Sequence, residues 1–190
     1  MIYSFPIWRD ELKKMRSELL ISWEILECLN ELEIPNEGSK ATSARFKLQF
    51  NAQNQFMKGF FLSAFAMRKI DEAASHPWPA GMTLSRKHDR QIDKRLSDFS
   101  FDTPVGEEET LANGKKVLSP VESKSTSGRK ITNLAIHSVA LRFFDQPFDE
   151  AGFWIQSDIK PYKKDRAKFL FIELSLYSEM LDNFIRDPQE

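Results

Sequence analysis

The sequence predicts a mainly α protein: a helical bundle with two long antiparallel N-terminal helices, a buried central helix and a small β-hairpin near the C-terminus. Three observations carry that expectation. Apolar residues recur every three or four positions along two long stretches before Ser75. The segment from Ile131 to Phe144, ITNLAIHSVALRFF, is apolar on nearly every side of a helix. Gly152 to Asp158, GFWIQSD, alternates Phe153 and Ile155 against Trp154 and Gln156, which is the period of a strand. At 190 residues the chain reads as a single domain, 1–190, long enough to bury a core without covalent staples. Its 16 Phe against 3 Tyr predict an aromatic core that asks for few side-chain hydrogen bonds.

In chain order, residues 1–6 read as extended, ending at Pro6. A first amphipathic helix is expected over Trp8–Leu32, with Trp8, Leu12, Met15, Leu19, Trp23, Leu26 and Leu29 or Asn30 on its buried stripe. Pro35 stops it and Asn36–Glu37–Gly38 turns the chain. The five Glu between Glu24 and Glu37, with no base among them, read as a solvated helix end or as an acidic docking face. A second helix is expected from Thr42 or Ser43 to Ser75, its stripe formed by Phe46, Phe50, Met57, Phe61 and Phe65 and widened by Phe60, Leu62 and Ala64. Continued at helical spacing, that stripe reaches Arg68 and Glu72, an i,i+4 pair on or beside the buried face. His76–Pro77–Trp78–Pro79 ends the helix.

The middle of the chain is less periodic. Arg86 to Leu96 reads as a short basic helix, either a solvated face or a patch that meets phosphate. Residues 98–130 read as an excursion: Asn113–Gly114 signals a hairpin, and SPVESKSTSGRK after it reads as a mobile loop. The central helix enters after Gly128 and ends before Asp145–Gln146–Pro147. IKPYKKDRAK is expected to be a basic turn. Phe169–Leu174 fits strand or helix by pattern; the expectation is a strand paired with 153–158, then a closing helix through Leu176, Met180, Leu181, Phe184 and Ile185.

Composition narrows the function. A net charge of −1 gives no overall field toward nucleic acid or acidic membranes, so such binding must come from local patches. Cys28 is the only cysteine, which rules out an internal disulfide and fits a reducing compartment. The start of the chain lacks a basic segment followed by an apolar run, and no apolar stretch reaches the roughly 18 residues of a membrane span. The expected location is the cytoplasm, with no membrane partner. His76, His88 and His137 are scattered, and neither HExxH, Walker A, GxGxxG nor GxSxG occurs. No metal and no cofactor are expected.

The residues that stand out are Asn133 and His137, one turn apart on the apolar central helix. A buried imidazole there must be hydrogen-bonded; it is either a structural group or a general acid/base in a cleft between helices. A basic turn with an aromatic, Lys160, Tyr162, Lys163, Lys164 and Arg166, is suited to holding a nucleic-acid strand, or to guarding a sheet edge.

ITNLAIHS resembles the characteristic segment of the HEPN superfamily, in which an Arg, often followed by Asn, precedes a His by four to six residues. Asn133 and His137 match the Asn and His, and Thr132 stands where the Arg is expected. The resemblance implies a compact helical bundle, a homodimer, and a role in bacterial toxin–antitoxin or antiviral defence. It implies either a degenerate module that binds RNA or a partner protein, or a metal-independent endoribonuclease. In the latter, His137 acts with a cation from Arg68 or Arg129, and Asn133 and Glu72 stand beside them. A third expectation is a structural protein–protein interaction module in which His137 belongs to the core.

Overall fold

The computed structural model describes residues 5–31, 39–75, 92–114, 116–137, 141–143, 151–156 and 168–186. Among them the chain forms α1 (Phe5–Glu31), α2 (Ser39–Ser75), β1 (Ser100–Thr110), β2 (Lys116–Ser127), α3 (Gly128–His137), β3 (Leu141–Phe143), β4 (Gly152–Gln156), β5 (Lys168–Glu173) and α4 (Leu174–Ile185). The five strands make one antiparallel sheet in the order β2-β1-β5-β4-β3. The expected helical bundle with a small hairpin is therefore incorrect: the architecture is helices packed on an antiparallel sheet.

The two long N-terminal helices form as expected and run antiparallel. Trp8 meets Phe65 at 6.3 Å between ring centroids, Leu19 lies against Gly59, Trp23 meets Phe56 at 5.6 Å, and Arg45 donates to the Leu29 carbonyl. Without a side chain at Gly59, the α1 backbone approaches closely there. On α1 Leu12, Leu19, Trp23, Leu26 and Leu29 are buried as its spacing predicts, Trp8 and Met15 are half-buried, and Arg9 and Ser22 are buried outside the predicted stripe.

On α2 the expected stripe holds in part: Phe60 and Ala64 are buried and Phe61 is partly buried against the core. Ala52, Phe56, Phe60, Ala64, Met67 and Ile70 are buried, whereas Phe46 is 66% and Phe50 63% exposed, and Leu62 and Phe65 are also exposed. This helix is apolar on two faces, and periodicity alone does not say which one turns inward.

The core is aromatic. Phe56 sits 5.0 Å from Phe153 and 5.2 Å from Phe143, and Phe60 sits 4.8 Å from both Phe153 and Tyr177, mostly edge-on or tilted. Such pairs contribute about 0.5–1.5 kcal/mol each beyond their burial. Tyr177 is the polar exception: its fully buried hydroxyl shares a hydrogen bond with Ser63 Oγ at 2.8 Å and donates to the Phe60 carbonyl at 3.1 Å. The sheet presents Phe101, Val105, Phe153, Ile155, Leu170 and Ile172 to this helical core. The alternate residues Trp154, Phe169 and Phe171 form a second cluster with Leu118.

Several local expectations change. Residues 98–130 do contain a hairpin around Asn113–Gly114, with Gly114 at φ 78°, but it is a long one. SPVESKSTSGRK is mostly strand β2 rather than a loop, paired with β1 from Ser127↔Ser100 to Lys116↔Thr110. Small polar residues and Pro120 are tolerated because β2 is an edge strand whose outward face is solvated. Pro104 fits in β1 because pairing to β5 is confined to Val105–Glu107. Strand β5 pairs with β4 and is followed directly by α4, as expected.

The long central helix does not form: α3 stops at His137, and Leu141–Phe143 is a strand on β4. An apolar run that serves a helix and then a strand cannot be divided by its pattern alone. Residues 86–91 lie outside the described residues, and 92–96 are not helical. Among the described residues no helix is long and apolar enough to cross a membrane.

Candidate functional site

Of the residues singled out by sequence, Arg68, Glu72 and Asn133 meet along the seam between α2 and α3. Arg68 donates through Nη1 to Asn133 Oδ1 at 2.9 Å and through Nε to Glu72 Oε1 at 2.9 Å. Lys69 adds a contact to Glu72 Oε2 at 3.1 Å. The Arg68 guanidinium, with Lys69 beside it, holds the Glu72 carboxyl below the ordinary carboxylate range. The i,i+4 spacing on α2 makes the Arg68–Glu72 pair, and Asn133 reaches it because the opposite side of α3, carrying Ile131, Thr132, Leu134 and Ala135, is buried.

His137 does not have the environment expected of it. It is the exposed last residue of α3, not a buried imidazole. The helix is buried along one side only, and His137 lies off that side. Among the described residues no hydrogen bond joins His137 to Arg68, Glu72 or Arg129. Thr132, where the HEPN resemblance places Arg, is fully buried and donates its hydroxyl to the Arg129 carbonyl at 3.0 Å. Arg129 is one turn nearer the start of α3, 4.0 Å from Asp71 Oδ2. Lys160, Tyr162, Lys163, Lys164 and Arg166 lie outside the described residues.

Sequence reasoning missed the strongest polar cluster. The Asp71 side chain, 3% exposed, accepts from Arg95 Nε at 2.6 Å and from the Leu96 backbone N–H at 3.0 Å. Asp71 holds the Arg95 guanidinium above its ordinary range. Arg95 also donates to the Asp71 carbonyl at 2.7 Å and to Ser75 Oγ. The Leu96 carbonyl in turn accepts from Arg129 N–H at 3.0 Å, and the Phe99 carbonyl from Gly128 N–H at 3.1 Å, so this cluster sets where α3 begins. The available signal was one Asp directly after the apolar stretch FFLSAFAMRKI, where a charge needs a partner.

Chemically, the seam is a clamp. The Asn133 side-chain carbonyl oxygen is used by Arg68, and the carboxylates of Asp71 and Glu72 are used by arginines. An open groove of about 360 Å³ lies elsewhere, beside α4, lined by Asp93, Lys94, Phe99, Glu179, Asp182 and Arg186 among others. Its charges pair within the chain: Lys94 with Glu179, Arg186 with Asp93, and Asp182 with Arg16. Among the described residues no group of three or more His, Cys, Asp or Glu is placed to hold a metal ion.

Exposed apolar side chains on the α1–α2 hairpin are the remaining candidate. Ile21 and Ile25 are exposed one turn apart on α1, and Phe46, Phe50, Leu62 and Phe65 are exposed on α2. Set against family models, curated proteins and solved structures, this chain matches none of them.

Proposed function

We propose that the chain is a non-catalytic protein-interaction module that docks through exposed apolar side chains of the α1–α2 hairpin. The observation that carries this reading is the exposure of large apolar side chains on both helices, from Ile21 and Ile25 to Phe46, Phe50 and Phe65. Single exposed apolar residues need no explanation, but a run of them at helical spacing marks an interaction surface.

The test compares what tagged wild-type protein captures with what Phe50→Asp captures, using Val121→Asp as a control. Val121 is also exposed, but on the edge strand β2. Capture reduced by Phe50→Asp and unchanged by Val121→Asp is the expected result. Equal capture by all three proteins would refute the reading.

The ribonuclease reading has one observation in its favour, the Arg68–Asn133 contact one turn from His137. Against it stand the exposed imidazole and the Arg68–Glu72 pair. Labelled RNA incubated with the protein in chelator is expected to stay intact. Cleavage that disappears in His137→Ala would reverse the assignment.

A further inference from the structure

The exposed phenylalanines of α2 continue a track that a helix already uses. Helix α3 is seated on the flank of α2 that carries buried Ala64, and it runs antiparallel to α2. Arg129 lies 4.0 Å from Asp71, and one turn further along α3 Asn133 accepts from Arg68 at 2.9 Å, one turn nearer the start of α2. The next turn carries α3 toward Ala64, and the helix stops there, at the exposed His137. The flank of α2 goes on. Traced toward the start of α2 in steps of three, four and seven residues, it passes Ala64, Phe61, Met57, Phe50 and Phe46. Phe61 and Met57 are half-buried, whereas Phe50 is 63% and Phe46 66% exposed, because α3 ends before it reaches them.

A row of bases runs beside this track. Phe46 and Met57 are eleven residues apart, about three helical turns, and so are Lys47 and Lys58. The two rows are therefore parallel and about 100° apart around the helix. The lysines are on the side farther from buried Phe56. Lys47 and Lys58 are exposed and form no ion pair among the described residues. Arg45, Arg68 and Lys69 are occupied elsewhere: Arg45 donates to the Leu29 carbonyl, and the other two pair with Glu72. No acid occurs on α2 before Asp71.

We propose that this track seats a short amphipathic helix of a partner protein, apolar toward Phe46, Phe50 and Met57 and acidic along the edge beside Lys47 and Lys58. The inference rests on the interaction-module reading and names the chemistry of the partner. The seated α3 supplies the shape, since a helix placed end to end with it meets the same flank of α2. From Met57 to Phe46 the track is about 17 Å long, so about three turns of the partner cover it. A basic partner would bring like charges together at Lys47 and Lys58. A flat anionic bilayer would meet the lysine row first and leave the phenylalanines to one side.

Two labelled peptides of about sixteen residues, long enough for about four turns, test this by fluorescence anisotropy against the intact chain. Both are held helical by a side-chain staple. One has Leu at every third or fourth position and Glu elsewhere, and its twin has Lys in place of Glu. The acidic peptide should bind at least about tenfold more tightly than the twin. Phe50→Ala should weaken its binding by at least about tenfold, with circular dichroism unchanged because the side chain is mostly exposed. Lys47→Glu combined with Lys58→Glu should reverse the preference, so that the basic twin binds more tightly.

An acidic peptide that does not bind at up to about 1 mM, or whose binding Phe50→Ala leaves unchanged, overturns the proposed seat. Equal binding of the two peptides overturns the acidic character of the partner. Vesicles containing phosphatidylserine should leave the chain in solution when sedimented. Pelleting that Phe50→Ala abolishes would assign the track to lipid, and self-association in light scattering that it abolishes would assign the track to a second copy; either overturns the proposal. The capture comparison of Phe50→Asp with Val121→Asp keeps the broader reading separate. Selective loss of capture beside a failed acidic peptide leaves an interaction module whose partner has another chemistry.

Discussion

Replacing Asp71 with Ala is expected to be the most damaging polar substitution in the described residues. The carboxylate is 3% exposed and accepts two hydrogen bonds, from the Arg95 guanidinium at 2.6 Å and the Leu96 amide at 3.0 Å. A hydrogen bond to a charged group contributes about 1.5–3 kcal/mol, and breaking a buried ion pair from one side costs about 3–5 kcal/mol. Arg95 is 33% exposed, so its freed guanidinium regains water, which lowers the cost. The Leu96 amide is buried and regains nothing. About 3 kcal/mol is the resulting estimate, a large share of the roughly 5–15 kcal/mol that holds a domain together.

For a chain of this size, that loss lowers the melting temperature by about 6–12 °C. Urea unfolding followed by far-ultraviolet circular dichroism measures it as a shifted midpoint at unchanged slope. Asp71→Asn keeps an acceptor of the same shape and should lose about half as much. A cost below about 1 kcal/mol for Asp71→Ala would refute the idea that this carboxylate anchors residues 95–99 and the start of α3.

Three further outcomes are expected. Gly152→Ala places a Cβ 2.6 Å from the Ile172 carbonyl oxygen and 2.5 Å from Phe171 Cζ, so β4 and β5 must separate; a loss of about 1–3 kcal/mol in urea is predicted, and a neutral result would contradict the close strand contact. Glu72, whose folded-state pKa lies below its unfolded value, contributes stability that is present above the unfolded pKa and is lost as pH falls through the folded one. The unfolding free-energy gap between wild type and Glu72→Gln should therefore close on acidification, and since the side chain is 34% exposed the gap stays below about 1 kcal/mol; a gap independent of pH would show that the ion pair is not its source. Burial pushes the Tyr177 phenol well above its ordinary value, so ultraviolet titration should show one tyrosine that ionises only as the protein unfolds, and Tyr177→Phe should remove that late step; an unchanged titration curve would place the buried phenol elsewhere.

What the sequence made legible follows from where local pattern decides structure. The spans of α1 and α2, the alternation of Phe153 and Ile155, and the strand-then-helix order after Lys168 were readable because each is set by periodicity within one segment. The sheet was not readable, because β1 meets β5 through pairs as far apart in the chain as Val105 and Leu170, and β2 hides its strand character behind Ser, Thr and Lys on a solvated edge. The site divides the same way. Arg68 and Glu72 are neighbours by helix geometry, whereas Arg68 finds Asn133, and Asp71 finds Arg95, only through tertiary packing.

The most informative error concerns α2. The pattern took Phe46, Phe50, Met57, Phe61 and Phe65, widened by Phe60, Leu62 and Ala64, for the core because apolar stripes usually are, yet Phe46, Phe50, Leu62 and Phe65 are exposed. The inward face keeps the expected Phe60 and Ala64 and adds Ala52, Phe56 and Met67, with small residues where other elements press close. A helix with two apolar faces has one more than its own domain needs. Phe46 and Phe50 therefore stay more than half exposed, the kind of apolar surface a binding partner would cover.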